Sequence, residues 1–95
     1  MLKGESLMVS KDIVIMNKSG LHARPASKFV QMANEFKCSI FIQKDGTKVN
    51  AKSIMGVMTL GAGKGSQITL IAEGEDEQKA MNALVELIEN NFYEE

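Results

Sequence analysis

The chain is short of the residues that most often carry chemistry or staples. Its 95 residues include one cysteine, one histidine, one proline and no tryptophan, and only 5% are aromatic. A lone Cys38 excludes an intrachain disulfide and a thiolate metal centre, so nothing in the chain calls for an oxidising compartment, and the expected location is the cytoplasm. Charge of one sign is also missing. Eleven Lys+Arg against twelve Asp+Glu leave a formal net charge of -1, which argues against a nucleic-acid partner held by bulk positive charge. No apolar run approaches the ~20 residues of a membrane span. Residues 1–10 lack the apolar core and cleavage site of a secretory signal, so no membrane insertion is expected. What is present is ordinary for a folded domain: 44% hydrophobic residues exclude disorder, and the length suits one core without disulfides or metal. Residues 1–7 are expected as a flexible extension, and 8–95 as a single domain.

The order of elements is readable from pattern and punctuation. Val9, Ile13, Val14 and Ile15 predict a strand over 8–16. A polar bridge, Asn17-Lys18-Ser19-Gly20, leads to a helix from about 23 to 34 or 35, with Ala26, Phe29, Val30 and Ala33 at helical spacing. A strand at 39–44 and one at 47–51 flank Asp45-Gly46, a two-residue hairpin signal. Ser53 is a good N-cap for a short helix interrupted by Gly56. Gly61-Ala62-Gly63-Lys64-Gly65-Ser66 then reads as a flexible connector, because its glycine spacing fails both nucleotide-binding fingerprints. A strand at 67–73 follows. Glu75, Asp76 and Glu77 place negative charge at the start of an amphipathic helix built on Ala80, Met81, Leu84, Leu87 and Ile88. Residues 86–95 read as a solvated helix face and a frayed acidic tail, and Cys38 as a small buried or strand-edge residue. The order β-α-β-β-α-β-α predicts an α+β fold, an antiparallel sheet with helices on one face.

One stretch concentrates the unusual residues. Gly20-Leu21-His22-Ala23-Arg24-Pro25-Ala26-Ser27 holds the only histidine and the only proline. Proline is tolerated only in the first turn of a helix, so Pro25 sets the helix start near Ala23, with His22 at or beside the N-cap. A histidine there faces backbone N–H groups and the positive end of the helix dipole, and Arg24 adds a fixed positive charge. Most lone histidines are structural. This one sits where an anion is held, and a neutral imidazole is a nucleophile toward phosphorus. No group near His22 and Arg24 positions an attacking water, which leaves a phosphatase as the weaker reading of the same site.

The stretch Gly20-Leu21-His22-Ala23-Arg24-Pro25-Ala26 resembles the phosphorylation-site signature of HPr, the histidine-containing phosphocarrier family of the bacterial phosphoenolpyruvate:sugar phosphotransferase system. A second stretch, Lys52-Ser53-Ile54-Met55-Gly56-Val57-Met58-Thr59-Leu60, resembles that family's regulatory-serine signature, and Ser53 lies 31 positions after His22, as in the family. The resemblance covers everything from about Met8 onward. It implies an open-faced β-sandwich, a four-stranded antiparallel sheet covered on one face by three helices. It implies that His22 accepts a phosphoryl group on Nδ1 from phosphorylated enzyme I and passes it to IIA domains of sugar permeases. Arg24 would stabilise the phosphoryl charge, and the helix N-terminus at Ala23 and Arg24 would cradle it. Ser53 would be the target of an HPr kinase/phosphorylase, its phosphorylated form serving a LacI-type catabolite-control repressor as corepressor.

A carrier rather than an enzyme is expected, without cofactor or metal of its own, and a monomer is the default expectation. Partner enzymes dock in this family on an apolar patch, here expected at Ile54, Met55 and Met58. At least one of these three is expected to turn into the core, and Met55, adaptable and polarizable, is the best candidate for exposure. Some HPr-like proteins keep the serine, lack the histidine and act only as regulatory binding modules; the presence of His22 speaks against that reading. A paralogue serving a nitrogen-related relay would use the same chemistry.

Overall fold

The computed structural model describes residues 8–94; the extension expected over 1–7 lies outside the described residues. Its elements are β1 (Val9–Val14), α1 (Ala23–Ala33), β2 (Ser39–Lys44), β3 (Thr47–Asn50), α2 (Ile54–Thr59), β4 (Gln67–Glu73), α3 (Glu77–Glu89) and a single C-terminal turn at Asn91–Tyr93. The four strands form one sheet in the order β1-β4-β2-β3, with every pairing antiparallel. β4 thus enters between β1 and β2. Alternation sets the two faces: Ile40 and Ile42 of β2 and Ile68, Leu70 and Ala72 of β4 are buried against the helices, while Phe41, Gln43, Thr69 and Ile71 between them are half-buried on the open face. This is the predicted α+β sandwich of one sheet and three helices. Fully burying each large aliphatic or aromatic side chain on the inner face contributes roughly 1.5–3 kcal/mol.

The hairpin matches its signal. Asp45 and Gly46 both take positive φ, 50° and 83°, and close Lys44 onto Thr47. β1 is shorter than the pattern predicts. Past Val14 the backbone leaves the ladder, and Ile15 instead exchanges hydrogen bonds with the glycine-rich connector, its N–H donating to Ser66 O at 2.9 Å and its carbonyl accepting from Gly65 N at 2.6 Å. The acidic residues before α3 act more specifically than as a diffuse charge. Asp76 is the N-cap, yet its carboxylate turns away from α3 to accept the N–H groups of Lys37 and Cys38, each at 2.9 Å, and Glu77 accepts the Gly74 N–H at 3.0 Å. Asp76 therefore ties the α1–β2 corner to the β4–α3 corner. Those donors hold its carboxyl below the ordinary range, the Lys37 N–H first. Burial, reinforced by Asp76, pushes the neighbouring Cys38 thiol up to about 11.

Two expectations are overturned. α2 runs unbroken through Gly56. A Cβ there would sit 3.4 Å from Asn50 O and 3.5 Å from Val49 Cβ, ordinary van der Waals contact, so the position is not crowded and the glycine simply costs α2 some helix propensity. The chain end is not a frayed acidic tail either. Phe92 is completely buried, and the Lys28 ammonium donates to its carbonyl at 2.8 Å. Asn91, Phe92 and Tyr93 take φ of 54°, 58° and 57°, a left-handed turn. Each such residue costs roughly 1–2 kcal/mol, against roughly 1.5–3 kcal/mol from burying Phe92, so that burial offsets part of the strain.

Candidate functional site

The approach to His22 is built from the end of β1. Asn17 is buried, and the chain turns tightly over Asn17-Lys18-Ser19-Gly20, closed by Gly20 N–H donating to Asn17 O at 3.1 Å. Gly20 takes φ +67°, and a Cβ there would lie 2.5 Å from Ala62 O and 2.6 Å from Gly63 Cα. Only glycine fits this crossing of two backbones. Next, Leu21 is buried and its N–H donates to Ala62 O at 2.7 Å, which fastens the loop to the connector after α2. The connector expected as a mere spacer is thus one wall of the site.

His22 follows as the N-cap of α1, with extended backbone (φ -86°, ψ -173°) and an exposed side chain. Its carbonyl accepts the Ala26 N–H at 2.8 Å, while its imidazole makes no capping bond to the helix. The ring is therefore not spent on holding the fold. Pro25 is buried and has no N–H, so the backbone donors of this first turn without intrahelical acceptors are those of Ala23 and Arg24. Arg24 itself is exposed. The two predicted residues do not share a hollow. His22 lines a shallow one with Ser19, Leu21, Met58 and Gly61-Ala62-Gly63, whereas Arg24 lines its neighbour with Lys18, Ser19, Lys28, Tyr93 and Glu94. Ser19 belongs to both.

α2 carries the candidate regulatory serine and an apolar surface. Ser53 is its N-cap, and the Ser53 Oγ accepts the Gly56 N–H at 3.1 Å. Ser53 is only partly exposed. The preceding Lys52 reaches across to donate to Phe36 O at 2.6 Å, anchoring the start of α2 to the segment after α1. Val57 and Leu60 form the inward side of the helix. Ile54, Met55 and Met58 are 40%, 74% and 39% exposed, so none of the three enters the core, contrary to expectation. Val57 is the one buried residue within the six-residue helix, and Leu60, its C-cap, is the other inward side chain. Met58 lies in the same hollow as His22, which makes the apolar surface continuous with the histidine. The pattern of apolar residues could not show this, because it depends on where the 61–63 connector turns back. The C-terminal contribution of Tyr93 and Glu94 was also missed; the signal for it was an aromatic pair, Phe92-Tyr93, inside an otherwise acidic end.

Among the described residues no helix is long and apolar enough to cross a membrane. Comparison with known proteins agrees with the geometry. A family model described as "PTS HPr component phosphorylation site" matches residues 9–90. An "HPr-like protein Crh" from Halalkalibacterium halodurans is 62% identical over 82 residues, covering 86% of this chain and 98% of that protein. A "Phosphocarrier protein HPr" from Cupriavidus necator is 51% identical over 87 residues, covering 92% of this chain and 98% of that protein. Among solved structures, HPr-C-His from Thermoanaerobacter tengcongensis superposes with a TM-score of 0.89 at 55% identity, covering 92% of this chain and 98% of the other.

Proposed function

Because the chain belongs to the HPr family, the phosphocarriers of the phosphotransferase system, we propose that His22 is its phosphoryl acceptor. The carrying observation is the exposed imidazole at the N-cap of α1, free of any capping bond, beside the N–H groups of Ala23 and Arg24. An unprotonated ring nitrogen, Nδ1 by family resemblance, attacks phosphorus as its bond to phosphorylated enzyme I breaks. The reverse step hands the group to a IIA domain of a sugar permease. Backbone donors and the positive helix end favour the phosphoryl charge. Arg24 opens on the adjoining hollow and neutralises that charge from the side. The acceptor is never enclosed, so donor and recipient reach it in turn, and the partners supply the transition-state machinery. The protein is on this reading a carrier, not an enzyme, working in the cytoplasm as a monomer whose single domain spans 8–95, without cofactor.

Docking falls to Ile54, Met55 and Met58, whose exposure beside the His22 hollow supports that assignment. Ser53 is assigned as the regulatory site for an HPr kinase/phosphorylase. A phosphate there adds roughly -1.5 to -2 charge at a helix N-terminus, where the dipole favours it, while obstructing the apolar face against an acidic partner. A second reading, a regulatory module binding a LacI-type repressor through phosphorylated Ser53, is favoured by the 62% identity to a protein named HPr-like protein Crh. The presence of His22 supports the carrier reading as the primary one.

Incubation with phosphoenolpyruvate and enzyme I tests it. Acid-labile, base-stable phosphate is expected on the wild type and none on His22→Ala; label on that variant removes His22 as acceptor. With ATP and the kinase, acid-stable label is expected that Ser53→Ala abolishes, and an unmodified wild type removes the regulatory half alone. Steady release of inorganic phosphate without a IIA acceptor would instead establish the phosphatase. Light scattering reads the oligomeric state directly, a dimer mass refuting the monomer.

A further inference from the structure

Asn17 and Glu94, separated by 77 positions, meet at the loop that leads to His22. The Asn17 side chain is buried, 2% exposed, and its Nδ2 donates both to Gly20 O at 2.9 Å and to Glu94 Oε1 at 3.1 Å. The same Oε1 accepts from Ser19 Oγ at 3.4 Å. Turning the amide over would set its oxygen against two acceptors, so its orientation is determined. In that orientation Asn17 Oδ1 is buried without a hydrogen-bond partner among the described residues. The fold accepts this unpaired oxygen together with the two bonds of Nδ2. It also accepts three successive left-handed residues, Asn91, Phe92 and Tyr93, which deliver Glu94 to the loop. The strained turn ends at Glu94, one hydrogen bond from the loop that carries His22, and strain concentrated beside a candidate site points to a role for the segment. Lys18, Arg24 and Lys28 line the same hollow as Glu94, which places positive charge around its carboxylate.

We infer that Glu94 is a positioning residue for His22. Through Asn17 and Ser19 it holds the Asn17–Gly20 turn, and through that turn the direction in which the imidazole meets the phosphoryl donor. Glu94 acts through its two partners and takes no part at phosphorus. The inference rests on His22 being the acceptor.

Single-turnover transfer from phosphorylated enzyme I, with the carrier concentration varied, yields a limiting rate and a half-saturating concentration for each variant, measured well below its Tm. For Glu94→Ala the limiting rate is expected to fall at least about threefold, as misdirected reacting groups lose rate steeply. Half-saturation stays unchanged because the α2 face is untouched. The His22 ring 1H–15N resonances should shift in the same variant. Glu94→Gln keeps an oxygen acceptor and should restore both rate and resonances. Ser19→Ala, which removes one tie and leaves Asn17 in place, should shift both readouts in the same direction by less. A wild-type limiting rate with unmoved His22 resonances in Glu94→Ala, even with a lowered Tm, overturns the inference. Equal losses in Glu94→Gln and Glu94→Ala also overturn it, since charge and not the tie would then matter. Label on His22→Ala is a different failure, that of the acceptor assignment itself.

Discussion

Replacing Gly20 by alanine adds one carbon where the structure has no room for it. The new Cβ would lie 2.5 Å from Ala62 O, 2.6 Å from Gly63 Cα and 2.9 Å from Gly63 C, and all three atoms are backbone. No side chain there can swing aside. Adopting the +67° φ of Gly20 with a Cβ costs about 1 kcal/mol. Relieving the collision requires the 61–63 connector to withdraw, which stretches the 2.7 Å bond from Leu21 N to Ala62 O. Losing that bond while its donor stays buried costs about 1–3 kcal/mol. The sum is about 3 kcal/mol, equivalent to a Tm drop of about 12 °C or more in a domain of this size. Gly61→Ala is the matched control: φ is +63°, but nothing lies within 4 Å of its Cβ, so it should lose only about 1 kcal/mol. Urea unfolding followed by circular dichroism measures both. If the two variants lie within about 0.5 kcal/mol of each other, the additivity error for independent sites, the close crossing of loop and connector contributes nothing and the steric account is refuted.

Further expectations concern packing, capping and pH. Phe92→Ala should destabilise by about 3 kcal/mol, the low end for a buried phenylalanine, because the left-handed turn relaxes once its anchor is gone; a loss under about 1 kcal/mol in denaturant titration would mean the turn is not anchored by that ring. Ser53→Ala removes the acceptor for Gly56 N–H and should cost about 1 kcal/mol, with Ser53→Asp retaining most of the stability by capping in its place. Asp76 is held as a carboxylate by its donors, so its stabilisation is present above its ordinary pKa of 3.8 and disappears as pH falls through the lower folded value. A pH series of urea melts should show a flatter acid limb for Asp76→Asn. Cys38 behaves oppositely: its folded state prefers the neutral thiol, so its contribution is complete below 9.0 and is lost as pH rises toward about 11. Iodoacetamide at pH 8 should accordingly label the native thiol roughly a hundredfold more slowly than the unfolded one.

Most of the sheet was legible because period and punctuation agreed. Alternation in Ser39–Lys44 and Gln67–Glu73, with Asp45-Gly46 between β2 and β3, determines which faces point inward without any long-range information. The helix start at Ala23 was legible from Pro25 alone, and the cap at Ser53 from residue type. What escaped depends on contacts between distant segments. Gly56 looked like a helix breaker, yet α2 is held through it by the Ser53 cap and the burial of Val57. Apolar residues in α2 suggested partial burial of Ile54, Met55 and Met58, but burial depends on which side meets the sheet, and Val57 and Leu60 take it. An acidic chain end looked solvated, and a single Phe92 in a gap among the helices outweighed its charged neighbours. The pairing of His22 with Arg24 in sequence likewise conceals their division between two hollows.

The 77-residue separation of Asn17 and Glu94 also has a meaning in time. Synthesis proceeds from the N-terminus at about 5–20 residues per second, so Glu94 is joined about 4–15 s after Asn17. A two-stranded hairpin such as β2–β3 closes within about 10 μs, long before that. On the ribosome the histidine loop thus exists for seconds before its tether is made. If Glu94 positions the histidine loop, that alignment is the last step in the maturation of a nascent chain, after the turn at Asn91–Tyr93 has seated Phe92.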